Sequence, residues 1–138
     1  MDAIDDQGPT TGLTPHVSYA DAPAAIDFYK AAFAATEHSR MLGDDSGKII
    51  HCHLGINGGS LMLNDDFPEM RGGAPLPAPG AVTFHLQVDD CDAWFARAVA
   101  AGATAKMAPA DMFWGDRYGQ VVDPFGHSWA LGSPIAKD

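Results

Sequence analysis

Basic residues are scarce: eight Lys and Arg stand against eighteen Asp and Glu, for a formal net charge of −10. A chain with that balance repels phosphate backbones and anionic headgroups, so neither nucleic acid nor a membrane surface is an expected partner. Long hydrophobic runs are missing too, and no stretch approaches the roughly 18 apolar residues that a span requires. The opening residues, MDAIDDQGPTTG, contain neither the basic nor the apolar region of an export signal. Their acidic, Gly, Pro and Thr content reads as a frayed tail, and the expected location is cytoplasmic. Cysteine is nearly absent. Cys52 and Cys91 are too few and too widely spaced for a zinc cluster or a CxxC redox pair. Both are expected to be reduced and to act as small apolar fillers.

What is present is enough apolar material for a core, at 46% of 138 residues. That length suits one compact domain or two very small modules sharing a core. The modules are visible as a repeat. PHVSYAD (15–21) aligns with FHLQVDD (84–90), matching His16 to His85, Val17 to Leu86, Tyr19 to Val88 and Asp21 to Asp90. Period-two alternation makes both strands, with His16 and Ser18 on one face, His85 and Gln87 likewise, and the larger apolar residues on the other.

A helix follows each strand. Asp21 with Pro23 starts the first, whose apolar stripe is Ala25, Ile26, Tyr29, Ala32 and Phe33. Asp90 or Asp92 caps the second, Trp94, Phe95, Ala98 and Val99 make its stripe, and Gly102 closes it. Three short strands come next in each half: 37–42, 48–56 and 60–65, then 103–107, 117–123 and 127–133. The sequences NGG (57–59) and DPFG (123–126) supply hairpin turns. The expected organisation is a flexible tail (1–12), a first βαβββ module (13–66), a Pro-rich linker (67–79), a second βαβββ module (80–133) and a short C-terminal tail (134–138). The fold class is α+β. Two modules that each bury one apolar sheet face together predict a curved, mostly antiparallel eight-stranded sheet around a cleft.

The paired βαβββ halves, DAPAAIDFYKAAF in the first helix and DPFGHSWAL at the last hairpin resemble the vicinal oxygen chelate superfamily of glyoxalases, bleomycin-resistance proteins and dioxygenases. The resemblance runs from about residue 13 to 133. LTPHVSYADAPAAIDFYKAAF, GGSLMLND and MFWGDRYGQVVDPFGHSWAL are similar to the PhnB-like branch. Some proteins of that branch carry a methyltransferase label, but no strand, Gly-rich turn and helix that would bind S-adenosylmethionine is visible here.

The resemblance implies a divalent ion held by residues from the first and last strand of each half, with positions open for substrate oxygens. His16 and His85 occupy the first-strand positions. The last-strand position of the second half, commonly Glu, holds Ala130; the matching spot of the first half falls near Leu63, beside Met62 and Asn64. Neither Ala nor Leu can ligate a metal. His51 and His53 share a strand face that is the cleft, solvent or a dimer surface, so His16, His85 and His53 are the candidate metal ligands if an ion is bound. Asn64, Asp65 and Asp66 read as turn residues, and His127 as a hairpin-end residue.

The loop entering the penultimate strand, FWGDRYG (113–119), is rich in functional side chains. Trp114 offers a stacking plane, Arg117 a fork for carboxylate or phosphate, and Tyr118 a phenol, with Asp116 placed to hold Arg117. The plainer alternative is that Trp114 packs on the sheet edge and Asp116 only neutralises Arg117. With Trp129, these residues and the two first-strand histidines form the expected ligand-binding set. The resulting expectation is a homodimer that binds a small molecule in its cleft with no cofactor. The alternative is a metal-dependent lyase, transferase or dioxygenase acting on a small oxygenated substrate through His16 and His85.

Overall fold

Asp21 and Asp90 follow equivalent strands and cap equivalent helices, each with a side-chain oxygen accepting the N–H three residues on (Ala24 N and Ala93 N, both 3.1 Å). That duplication organises the whole computed structural model, which describes residues 12–135. The expected tails fall almost wholly outside the described residues. In the first half β1 (His16–Tyr19), α1 (Ala22–Phe33), β2 (Thr36–Leu42), β3 (Ile49–Ile56) and β4 (Gly59–Asp65) follow one another. In the second, β5 (Thr83–Gln87), α2 (Cys91–Ala101), β6 (Thr104–Asp111), β7 (Asp116–Val122) and β8 (Ser128–Pro134) repeat the order.

The eight strands divide as two four-stranded mixed sheets, β1-β4-β3-β2 and β5-β8-β7-β6. In each the first strand runs parallel to the last, and the remaining pairs are antiparallel. The chain forms two compact units, one carrying residues up to 30 and 34–77, the other 31–33 and 78 onward.

Within the first unit, Val17, Leu63 and Cys52 lie side by side across three strands, as do Leu54 and Leu61. Leu54, Leu61, Leu63 and Cys52 are buried, and this is the face α1 covers. Tyr19 meets Tyr29 of the helix hydroxyl to hydroxyl at 2.8 Å, which satisfies both buried phenols. Asn57 (φ 50°) and Gly58 (φ 81°) both adopt the left-handed conformations of a tight hairpin, as the Asn-Gly pair predicts. Strand β2 carries a bulge: Glu37 pairs with Leu54 but Ser39 pairs with His53, so His38 is an extra residue. Gly55 makes room for it, since a Cβ there would lie 2.5 Å from His38 Nε2.

The second unit buries Leu86, Val121, Trp129 and Leu131 beneath α2, whose Cys91 and Ala98 are buried in turn. Phe95 of the helix packs over Gly119, leaving 3.3 Å where a Cβ would be. The DPFG turn is held by Asp123, whose Oδ1 accepts Phe125 N and His127 N (2.9 Å each), with Gly126 at φ 94°.

Three expectations are revised. The linker contains a 3₁₀ turn, Pro68–Arg71. Strand β6 runs on to Asp111 rather than stopping at 107; it is an edge strand, where Pro109 removes no needed ladder bond, and register shifts flank it. Asp65 is not a turn residue. It ends β4, is 5% exposed, and accepts Ala22 N and Ile49 N at 2.7 Å each, tying the start of α1 to the sheet.

Candidate functional site

Strand register decides which side chains meet. In the second unit His85 lies opposite Ala130, which lies opposite Gln120; Gln87 lies opposite Gly132, which lies opposite Tyr118. Residues paired across neighbouring strands share a sheet face, so β8 forms a floor of Ala130 and Gly132 between two walls. One wall is His85 and Gln87, the other Tyr118 and Gln120. Gly132 is required for this arrangement, because a Cβ there would stand 2.9 Å from His85 Cε1 and 3.1 Å from Gln87 Oε1.

The walls are tied together. His85 Nε2 lies 2.8 Å from Gln87 Oε1, and the Gln87 amide nitrogen points to Asp116 Oδ2 at 3.4 Å. With the amide oxygen facing the ring, Nε2 is the donor of this bond. The His85 ring is stacked with the Tyr118 ring (centroids 6.1 Å, 15° between planes), and Gln120 donates to the Tyr118 hydroxyl at 2.7 Å. Trp114 stands edge-on to Tyr118 at 5.5 Å and is 52% exposed, with Phe113 beside it at 5.0 Å and 97% exposed. The result is a trough whose small-residue floor, Ala130 and Gly132, is buried beneath neighbouring side chains, His85 and Gln87 over Gly132 among them, with amide and phenol donors and acceptors along it and an aromatic end.

His85, Trp114 and Tyr118 therefore belong together, and Gln87, Gln120 and Gly132 join them. Gln87 was visible in the sequence as His85's partner two residues on. Gln120 and Gly132 give no signal until strand register is known.

Arg117 is elsewhere. It donates from Nε to Asp92 Oδ2 (2.9 Å) and from Nη1 to Asp111 Oδ1 (3.1 Å), not to Asp116. Adjacent strand residues point to opposite faces, so Arg117 turns toward α2 while Asp116 and Tyr118 turn to the trough. Hydrogen bonds to those two aspartates raise its pKa above the ordinary guanidinium value, and the surface cavity beside it, about 470 Å³, is otherwise lined by three aspartates with Cys91, Ser133, Pro134 and Ile135. Trp129 is likewise not a lining residue. It alternates with Ala130, is 2% exposed, packs 5.0 Å from Phe84 and donates from Nε1 to Asp123 Oδ2 (2.9 Å).

In the first unit His16 lies opposite Met62, and Met62 opposite His53. All three share the face turned away from α1. Leu63 is fully buried on the other face, so the position that answers to Ala130 is Met62, one residue from the expected spot. His53 is 1% exposed and lies 2.9 Å from Ser60 Oγ through Nε2. His16 and His51 stand edge to face at 5.9 Å.

The divalent centre implied by the fold can be tested on these residues. His85 has Ala130 beside it and His16 has Met62, so neither neighbouring strand position supplies a carboxylate. The Nε2 proton of His85 is committed to Gln87. Among the described residues no group of three or more His, Cys, Asp or Glu is disposed to hold an ion. The donor set does not fit that centre. Also among the described residues, no helix is long and apolar enough to cross a membrane.

A family model described as the Glyoxalase/Bleomycin resistance protein/Dioxygenase superfamily matches residues 14–131. An uncharacterized protein of Mycobacterium bovis is 54% identical over 127 residues, 89% of this chain and 83% of its own length. An uncharacterized protein of Arabidopsis thaliana is 34% identical over 113 residues, 76% of this chain and 67% of its own. Among solved structures, TioX from a Micromonospora species is 26% identical with a TM-score of 0.70, over 91% of this chain and 99% of that one. A Bacillus cereus PhnB protein, described as a putative 3-demethylubiquinone-9 3-methyltransferase, is 20% identical with a TM-score of 0.68, over 89% of this chain and 99% of that one. That last likeness is one of fold. With the duplicated βαβββ units and a family match over most of its length, the chain belongs to the glyoxalase/bleomycin resistance protein/dioxygenase superfamily.

Proposed function

We propose that the chain binds a small, flat organic molecule in the second unit's trough, and that it does so without a catalytic metal. One observation carries this reading: Ala130 stands beside His85 where a metal enzyme of this fold needs a carboxylate, and the space is walled by stacking and amide side chains. Asp116 lies at the aromatic end and Arg117 faces away, so an uncharged or cationic ligand suits the trough better than an anion. Trp114 supplies an exposed ring surface, Gln87 and Gln120 can exchange their present partners for ligand amides or carbonyls, and a planar group reaches the floor of Ala130 and Gly132 when the exposed His85 and Gln87 side chains swing aside.

Tryptophan fluorescence tests the reading, with lumiflavin as an uncharged planar probe and proflavine as a cationic one. Saturable quenching that persists in EDTA is the expected result. Removing the Trp114 ring should weaken it about fivefold, the equivalent of roughly 1 kcal/mol of stacking. Absence of saturation with both probes would refute the trough as a binding site. Binding that needs an added divalent ion would instead favour a metal-dependent lyase, transferase or dioxygenase.

A further inference from the structure

The first unit's sheet presents a second, chemically different face. Register places His16, Ser18, His51, His53, Ser60, Met62 and Asn64 on it, together with Ser39 and Met41 of the bulged strand. None of these side chains is a carboxylate, an ammonium or a guanidinium. The histidines and methionines are arranged in pairs: His16 has Met62 as its lateral neighbour, and His51 has Met41. Side chains so paired have Cβ atoms about 4.5–5.5 Å apart, and both thioethers are long enough to reach over the imidazole beside them. The two histidines converge on each other, with ring centroids 5.9 Å apart.

We propose that His16, His51, Met62 and Met41 bind one soft monovalent metal ion, Cu(I). Metal–imidazole bonds of about 2.0–2.1 Å put each ring centroid roughly 3.2 Å from a shared ion. Two centroids 5.9 Å apart then subtend an N–metal–N angle of about 135°. That lies between the tetrahedral and linear limits, where a closed-shell ion with two strong and one or two weak donors is comfortable. Thioether ligands select Cu(I) over hard or borderline divalent ions, which want carboxylate, carbonyl or a third imidazole. No third nitrogen, thiolate or carboxylate completes a group around the pair among the described residues, so sulfur is the donor left to do it.

One further feature suits this use. On the same face Ser39 Oγ, in a residue only 3% exposed, has no hydrogen-bond partner among the described residues, so the polar surface there is not completed by those residues alone. The site shares His16 and Met62 with the first-unit positions of the fold's divalent centre, but it takes its other donors, His51 and Met41, from β3 and β2 and uses neither His85 nor the position of Ala130.

The test is an anaerobic titration of the full chain with Cu(I) in competition with bicinchoninate, alongside Zn(II) under the same conditions. One Cu(I) per chain, held more tightly than Zn(II), is expected. Met62→Leu conserves volume and should leave the circular dichroism spectrum unchanged. It and His51→Asn should each weaken Cu(I) binding by at least about tenfold, since loss of a direct ligand costs no less than loss of an outer-shell one. X-ray absorption should show imidazole nitrogen and sulfur around copper, with the sulfur contribution reduced in Met62→Leu. Tighter Zn(II) than Cu(I), unchanged affinity in both variants, a sulfur-only shell from Cys52 and Cys91, or an equal loss in His85→Ala would each overturn the assignment.

Discussion

The last hairpin, DPFGHSWAL, carries much of the family likeness, and Asp123 explains why it need say nothing about activity. Its carboxylate is 4% exposed and gathers three donors: Phe125 N and His127 N on Oδ1, and Trp129 Nε1 on Oδ2, all at 2.9 Å. Asp123→Asn keeps the shape but only one acceptor oxygen. Whichever way the amide turns, its NH2 meets an N–H. Stranding a buried donor costs about 1–3 kcal/mol, and the surviving bonds fall from charge-assisted to neutral strength. Relief from desolvating a carboxylate offsets part of this, so the expected loss is about 2 kcal/mol. Urea unfolding followed by far-ultraviolet circular dichroism reads it directly. The decisive comparison adds Trp129→Phe, which removes the indole donor. In that background the Asn amide can turn its NH2 to the vacated side, and Asp123→Asn should cost at least about 1 kcal/mol less than it does alone. Equal costs in the two backgrounds, or no cost in either, would refute the claim that this carboxylate holds the hairpin. Affinity for the planar probes should be unaffected, because Trp129 and Asp123 pack away from the trough.

Gly132→Ala places a methyl group 2.9 Å from His85 Cε1. The exposed ring can swing away, so stability should change by no more than about 1 kcal/mol while planar-probe affinity falls; unchanged affinity would remove His85 from the site. Asp65→Asn faces an amide NH2 toward either Ala22 N or Ile49 N, now 2.7 Å from the two oxygens, and should cost about 1–3 kcal/mol in guanidinium unfolding. A neutral outcome would mean the clamp does not stabilise the fold. Burial pushes the Cys52 thiol up to about 12 from an ordinary value of 9.0, so native protein at pH 8 should resist iodoacetamide until it unfolds. The sign follows from the raised value. Above pH 9 the unfolded thiol ionises while the folded one stays protonated, so this contribution to stability is lost as pH rises from about 9 toward 12. Rapid native labelling would contradict the buried, protonated state.

Much of the fold was legible because the repeat places the same signals twice. Asp21 and Asp90 cap as their positions predict, Gly102 closes α2, and the Asn57-Gly58 pair makes its hairpin. What escaped was the tertiary bond behind each cap. The first helical N–H of the first half goes to Asp65, and that of the second half, Cys91 N, goes to Ser133 Oγ at 3.1 Å. Those partners lie more than 40 residues away and differ in type, so no local pattern exposes them. Which candidate residues share a sheet face was legible only where alternation was counted from a known partner. His85 with Gln87, and Trp114 with Tyr118, follow from short spacing. Arg117 and Trp129 looked suited to binding by side-chain type alone, and a single step of alternation put each on the helix side of the sheet.

The same counting separates the halves chemically. His16 and His85 are equivalent in the repeat, yet each histidine's chemistry is set by the residue beside it on the last strand of its unit. Met62 beside His16, with Met41 beside His51, makes one face soft and thioether-rich. Ala130 beside His85, with Gly132 one step on, gives the other small residues and no donor side chain at those positions. A divalent centre needs both neighbouring positions to supply donors of one hardness. Here one supplies sulfur and the other none, so the duplication keeps the scaffold while each unit's sheet face carries its own side-chain chemistry.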